Sequence, residues 1–197
     1  MQFMIRSLSI LLVCSFLSAC STRDTSDQFR GSTSQRLLTY SINNLMSQLP
    51  ETDFQIFGTQ PVYVRSHFVE QSQTLNYASQ RLYMELTSRF NLNLVDSPEK
   101  ANYELDFFFT SLGTDSDTFG LTVPVFWVST DGDLPTMDIL AVRMFHGVSE
   151  MYYYSKDRAT GLVSHHSSIL SRARTDRFST PFFSFPVDDL DENSFFD

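Results

Sequence analysis

Apolar positions along this chain change their period several times, and each change marks an element. A mostly apolar run from Leu8 to Leu17 follows Met1 to Arg6, and residues 21–34 (STRDTSDQFRGSTS) then carry no apolar period at all. From Gln35 to Leu49, Leu38, Ile42, Leu45 and Leu49 recur at helical spacing, with Ser34 placed to cap and Pro50 placed to stop the helix. Pro61 to Phe68 alternates instead: Val62, Val64 and Phe68 fall on one face of a half-buried strand, Tyr63, Arg65 and His67 on the other. Helical spacing returns from Asn76 to Phe90 through Ala78, Leu82, Leu86 and Phe90, and Asn91 to Val95 reads as a second, short strand. Strand, helix and strand in this order form a β-α-β unit, whose strands should be parallel with a right-handed crossover.

Ser97-Pro98-Glu99-Lys100 has the form of one helical turn, with Ser97 capping and Pro98 at the first position. Tyr103 to Thr110 is a strand with Phe108 among its outward positions, which predicts cover on both faces near its end. Residues 111–137 break the pattern. They carry Gly113, Gly120, Pro124, Gly132 and Pro135 and read as a long loop, a length that is uncommon without a function. Ile139 to Phe145 and Val148 to Tyr154 are strands. Asp157-Arg158-Ala159-Thr160-Gly161 is a turn with glycine at the left-handed position, and Leu162 to Ser168 is the returning strand. The expected fold is α/β (mixed α+β): a mixed sheet of about five strands with two main helices packed on it. Its boundaries are a leader at 1–19, a flexible tether at 20–34, one domain at 35–180 and an acidic aromatic tail at 181–197.

The leader decides location. Arg6 supplies a positive start, the apolar run is far shorter than the about 20 residues that span a bilayer, and Leu17-Ser18-Ala19-Cys20 looks like a bacterial lipobox. Cleavage before Cys20 would leave that sulfur to carry a diacylglycerol and a fatty acyl group, an anchor of two or three chains. Ser21, rather than Asp, after the cysteine resembles the signal that sorts lipoproteins to the outer membrane. Cys14 leaves with the leader, so an acylated Cys20 excludes any disulfide and stability must come from packing.

Charge narrows the partners. With 23 acidic against 14 basic residues the net charge is −9, and no Lys/Arg cluster offers a phosphate-binding patch, so nucleic acid is not an expected partner. His165-His166 tempts as a metal site, but neighbours on a strand face opposite ways and no further ligand spacing supports one. Asp115-Ser116-Asp117 and Asp131-Gly132-Asp133 resemble fragments of calcium loops without the closing glutamate. Neither a Gly-x-Ser-x-Gly elbow nor a phosphate-binding glycine loop occurs, so no catalytic residues, no metal and no cofactor beyond the acyl groups are expected. Met151-Tyr152-Tyr153-Tyr154 reads as alternating core and cross-strand residues. Phe119 to Trp127 and Phe178 to Phe185 fall outside the expected elements, where aromatics serve as core cover or as a recognition patch; for a partner site the best candidates are Phe126 and Trp127.

Three stretches carry a resemblance: Pro61 through Leu94-Val95-Asp96, then Lys100-Ala101-Asn102-Tyr103-Glu104-Leu105, then Tyr154-Ser155-Lys156-Asp157-Arg158-Ala159-Thr160-Gly161-Leu162-Val163. Together they resemble a largely uncharacterised family of small, lipobox-bearing bacterial envelope lipoproteins, and more distantly the periplasmic domain of the curli-export lipoprotein. Asn102 stands where that family usually has Asp. The resemblance implies a fold and a location, an outer-membrane lipoprotein facing the periplasm, and supplies no catalytic residues. The expected role is a non-enzymatic accessory or scaffolding protein that meets the membrane through its lipid and binds another envelope protein. The alternative is an oligomeric secretion-channel subunit like the curli exporter, for which residues 111–137 offer one hairpin broken by two prolines rather than two amphipathic ones.

Overall fold

The computed structural model describes residues 22–24, 31–124 and 136–187, with no side chains given for 22–24, 124 and 136. The leader at 1–19, Cys20 and most of the tether, Phe126 and Trp127, the Asp131-Gly132-Asp133 run and the tail from 188 onward lie outside the described residues.

In chain order the elements are β1 (Thr22–Asp24), α1 (Ser32–Ser47), α2 (Glu51–Gln55), β2 (Pro61–His67), α3 (Gln73–Ser88), β3 (Asn93–Leu94), a 3-10 turn (Pro98–Lys100), β4 (Tyr103–Pro124), β5 (Thr136–Asp157), β6 (Val163–Ser179) and β7 (Ser184–Pro186). The sheet runs β3-β2-β4-β5-β6-β7, with β1 joining β4 off this path. It is mixed, as expected: β2 is parallel to both β3 and β4, whereas β6 with β7 and β1 with β4 are antiparallel. The described residues form two compact units, one of 31–114 with 146–173, the other of 22–24, 115–124, 136–145 and 174–187.

In the first unit, the apolar faces read from the sequence meet in one core. Ile42, Leu45 and Met46 from α1 with Leu49 just past its end, Leu75, Ala78, Leu82 and Leu86 from α3, and Val62, Val64, Leu105, Phe107, Phe109, Met151 and Tyr153 from the sheet are all buried there. Helix α1 comes close to β5 because small residues line the contact. A Cβ on Gly147 would lie 2.3 Å from the Leu37 carbonyl oxygen, and the hydroxyls of Ser41 and Ser149 meet at 2.7 Å inside the core. Ser34 does not cap α1. The helix begins before it, with Gly31 at the cap position, and the buried Ser34 hydroxyl bonds Thr114 on β4 at 3.1 Å. The cap of α3 is Ser72, whose Oγ accepts from the Leu75 amide at 3.2 Å. Ser97 makes no side-chain cap bond to its turn. The turn after β5 forms as the sequence requires: Gly161 adopts φ +74°, and Asp157 Oδ1 accepts from the amides of Ala159 and Thr160 at 2.8 and 3.2 Å.

The expected loop at 111–137 is overturned for every described residue, 111–114 in the first unit and the rest in the second: β4 continues to Pro124 and β5 starts at Thr136, each strand 22 residues long. Thr110 bonds Glu150, while Gly120 faces Leu140, so the two strands run against each other. Pairing with β1 on one side, at Thr22 with Thr118 and Asp24 with Ser116, and with β5 on the other outweighs the low strand propensity of Asp and Gly. Residues 169–179, past the expected strand at Leu162 to Ser168, are strand as well, and their end pairs Phe178 with Phe185 of β7, the rings 5.2 Å apart.

Candidate functional site

Two side-chain constellations stand out in the first unit, one on each face of its sheet. The first lies on the helix side. Adjacent His165 and His166 point to opposite faces, and His166 turns inward, stacked on Tyr153 with ring centroids 4.4 Å apart. Its Nδ1 is 2.7 Å from Asp53 Oδ2, its Nε2 is 3.0 Å from Ser155 Oγ, and the Tyr153 hydroxyl donates to the same Asp53 oxygen at 2.6 Å. Burial pushes the Asp53 carboxyl up, but the hydrogen bonds from Tyr153 and His166 and the nearby imidazole outweigh it and hold the pKa below the usual 3.8. Tyr153 moves the other way, since burial and then the Asp53 carboxylate both disfavour the phenolate.

The order Asp53, His166, Ser155 is that of a hydrolase relay. The surroundings differ from one. Ser155 is a buried residue inside a regular strand rather than on an exposed turn, and a cavity of about 350 Å³ lies elsewhere, at Tyr63, Val64, Tyr83, Leu94, Val95 and Asp96. What the chain of bonds does is dock α2, which carries Asp53 and Phe54, on the sheet: Phe54 stacks on Tyr153 at 5.6 Å. Sequence reading missed Asp53 because a five-residue helix between Pro50 and Pro61 gives no apolar period to detect.

The second constellation occupies the opposite face. The parallel register sets Arg65 beside Asp106 and His67 beside Phe108. Arg65 grips Asp106 with two bonds of 2.7 and 2.8 Å, and His67 Nε2 reaches the same carboxylate at 2.9 Å. Burial raises the Asp106 pKa, yet the bonds from Arg65 and His67 bring it below its ordinary value. Glu104, mostly buried, gathers Arg65, Arg158 and Lys156 at 3.5, 3.2 and 3.6 Å.

Beside these charges runs a continuous aromatic ladder. His67 stacks on Phe108 at 4.5 Å, Phe108 on Tyr152 at 5.4 Å, and Tyr152 and Tyr154 meet edge to face at 5.9 Å. His165 closes the ladder, 5.0 Å from Tyr154. The cover expected over Phe108 is therefore these rings rather than a second helix layer. Tyr152, Tyr154, Phe108 and His67 stay half-buried and His165 exposed, so a flat, amphipathic plate faces solvent. It was legible only in part. Alternation placed Tyr63, Arg65 and His67 outward, but which strand would lie beside β2 could not be read from spacing.

Among the described residues no group of three or more His, Cys, Asp or Glu is placed to hold a metal ion, and no helix is long and apolar enough to cross a membrane. Compared with models of known protein families and with curated proteins, the sequence matches none.

Proposed function

We propose that the protein is a lipid-anchored, non-enzymatic accessory or scaffolding protein of the cell envelope, held at the outer membrane by acyl groups on Cys20 and facing the periplasm. It binds another envelope protein through the aromatic plate of His67, Phe108, Tyr152, Tyr154 and His165. The observation that carries this reading is the plate itself: rings pre-ordered by stacking on a rigid sheet lose little freedom on binding, and charged pairs at its border supply direction. The lipobox at Leu17-Ser18-Ala19-Cys20 supports the anchor.

A photo-reactive side chain placed at Tyr154 in the native, membrane-held protein tests the plate. A discrete cross-linked species is expected there and not from the same probe at Tyr77 on α3, and the yield should fall at least fivefold in Phe108→Ser. Equal labelling from both positions, or none, overturns the reading.

A second reading, an oligomeric secretion-channel subunit, is favoured by one observation: β4 and β5 are 22 residues long, where about 9–11 tilted residues cross a bilayer. Light scattering on the acylated protein in detergent separates the two. A ring of many subunits supports the channel and a monomer or dimer supports the accessory role.

A further inference from the structure

The tether does not leave the domain at a random point. β1 begins two residues after Cys20, and its antiparallel register sets Thr22 against Thr118, Arg23 against Asp117 and Asp24 against Ser116. Two residues of chain span about 7 Å at most. Wherever the acyl chains of Cys20 enter a leaflet, that leaflet is close to Thr118 of β4.

The side chains beyond Thr118 are the ones that suit lipid. On β4, Phe119 and Leu121 are 61 % and 51 % exposed and alternate with Thr118, Gly120 and Thr122; on β5, Leu140 and Met137 are 56 % and 37 % exposed. Gly120 lies against Leu140 and Ala141, so the exposed residues of both strands occupy the same level. On the other side of Thr118 the sequence turns to Asp115-Ser116-Asp117. Apolar exposure thus starts where the anchor segment pairs and partly exposed charge starts just below it, since Asp138, between Met137 and Leu140, is turned in against Arg143 at 2.9 Å; this is the order of acyl chain and head group in a membrane.

We infer that the described ends of β4 and β5 beyond Thr118 form a second membrane contact, with Phe119, Leu121, Met137 and Leu140 seated in the same leaflet that holds the acyl chains of Cys20. The inference rests on the acylation of Cys20 proposed above. Phe119 to Val123 covers about 16 Å of strand, half of a hydrocarbon core of about 30 Å, so these residues enter one leaflet. The anchor then fixes the orientation of the second unit as well as its location, because a lipid on a free tether would let that unit tumble and a strand pair seated beside it does not.

The test uses the acylated full chain in phosphatidylcholine vesicles containing brominated lipid, in a Trp127→Phe background with one tryptophan at a time introduced as Phe119→Trp, Leu121→Trp or Tyr77→Trp. The indoles at 119 and 121 should be quenched at least twofold and the one at 77, on α3, unchanged. Mass spectrometry of the same sample reports the acyl groups. Absence of acyl mass on Cys20 fails the anchor reading and this inference with it. Acylated protein that floats with the vesicles while the indoles at 119 and 121 remain unquenched, or are quenched no more than the indole at 77, overturns the inference alone.

Discussion

Asp53 serves two sheet residues at once, and that makes it the residue on which the docking of α2 turns. Its carboxylate takes the Tyr153 hydroxyl and the His166 imidazole, and His166 passes the chain on to Ser155. Replacing Asp53 with Asn keeps the shape but removes the charge, and should cost about 1–3 kcal/mol of unfolding free energy in a urea titration. The pH dependence has a definite sign. A carboxyl whose folded pKa lies below its unfolded value contributes stability that is full above about pH 4 and is lost as pH falls through the folded pKa. Asp53 and Asp106 both belong to this class. The thermal midpoint should therefore be flat from neutral pH to about pH 5 as far as these two groups set it and drop below about pH 4, with a smaller drop in Asp53→Asn. An unchanged acid limb in that variant would show that Asp53 is not one of the groups responsible. Strand alternation was enough to send His165 and His166 to opposite faces. It could not supply Asp53, 113 residues from His166, since nothing local ties the two.

Elements were more legible in their kind than in their ends. Both long helices were expected from apolar spacing, yet each begins about three residues before the first residue assigned to it, because the opening turn of a helix shows little apolar period. Ser34 had the right chemistry for a cap, but its hydroxyl is taken by Thr114 across the core. Ser72 does cap, and Ser72→Ala should lower stability by about 1 kcal/mol, measurable by denaturation. The greatest gap was 111–124, read as loop from its Gly and Pro punctuation and found as strand because pairing on both sides overrides propensity. Two glycines separate conformational from steric need. Gly161 has φ +74° with open space around it, so Gly161→Ala should cost about 1 kcal/mol. Gly147 faces the immovable Leu37 carbonyl, and Gly147→Ala should cost about 3 kcal/mol by pushing α1 off β5. Equal costs at the two sites would contradict this account.

At the scale of the molecule, the proposed anchor makes one more prediction. Cys20→Ser should move the protein from the membrane to the soluble fraction on extraction at moderate salt, with its circular dichroism spectrum unchanged, and a variant that stayed fully membrane-bound would exclude the lipid as the main attachment. The sheet order also has a consequence in time. Tyr153 and His166 close on Asp53 across 100 and 113 residues, Ser149 closes on Ser41 across 108, and β2 waits for β4 some 41 residues later. Contacts so distant along the chain must overcome a large loop-closure entropy before they contribute, which places folding in the slow, millisecond-to-second class. A chain emerging N-terminus first presents the apolar face of α1, Leu37, Ile42, Leu45 and Met46, long before β5 exists to cover it. Until residue 173 has arrived the first unit is incomplete, so during synthesis the apolar face of α1 stays without its β5 partner for most of the length of the chain.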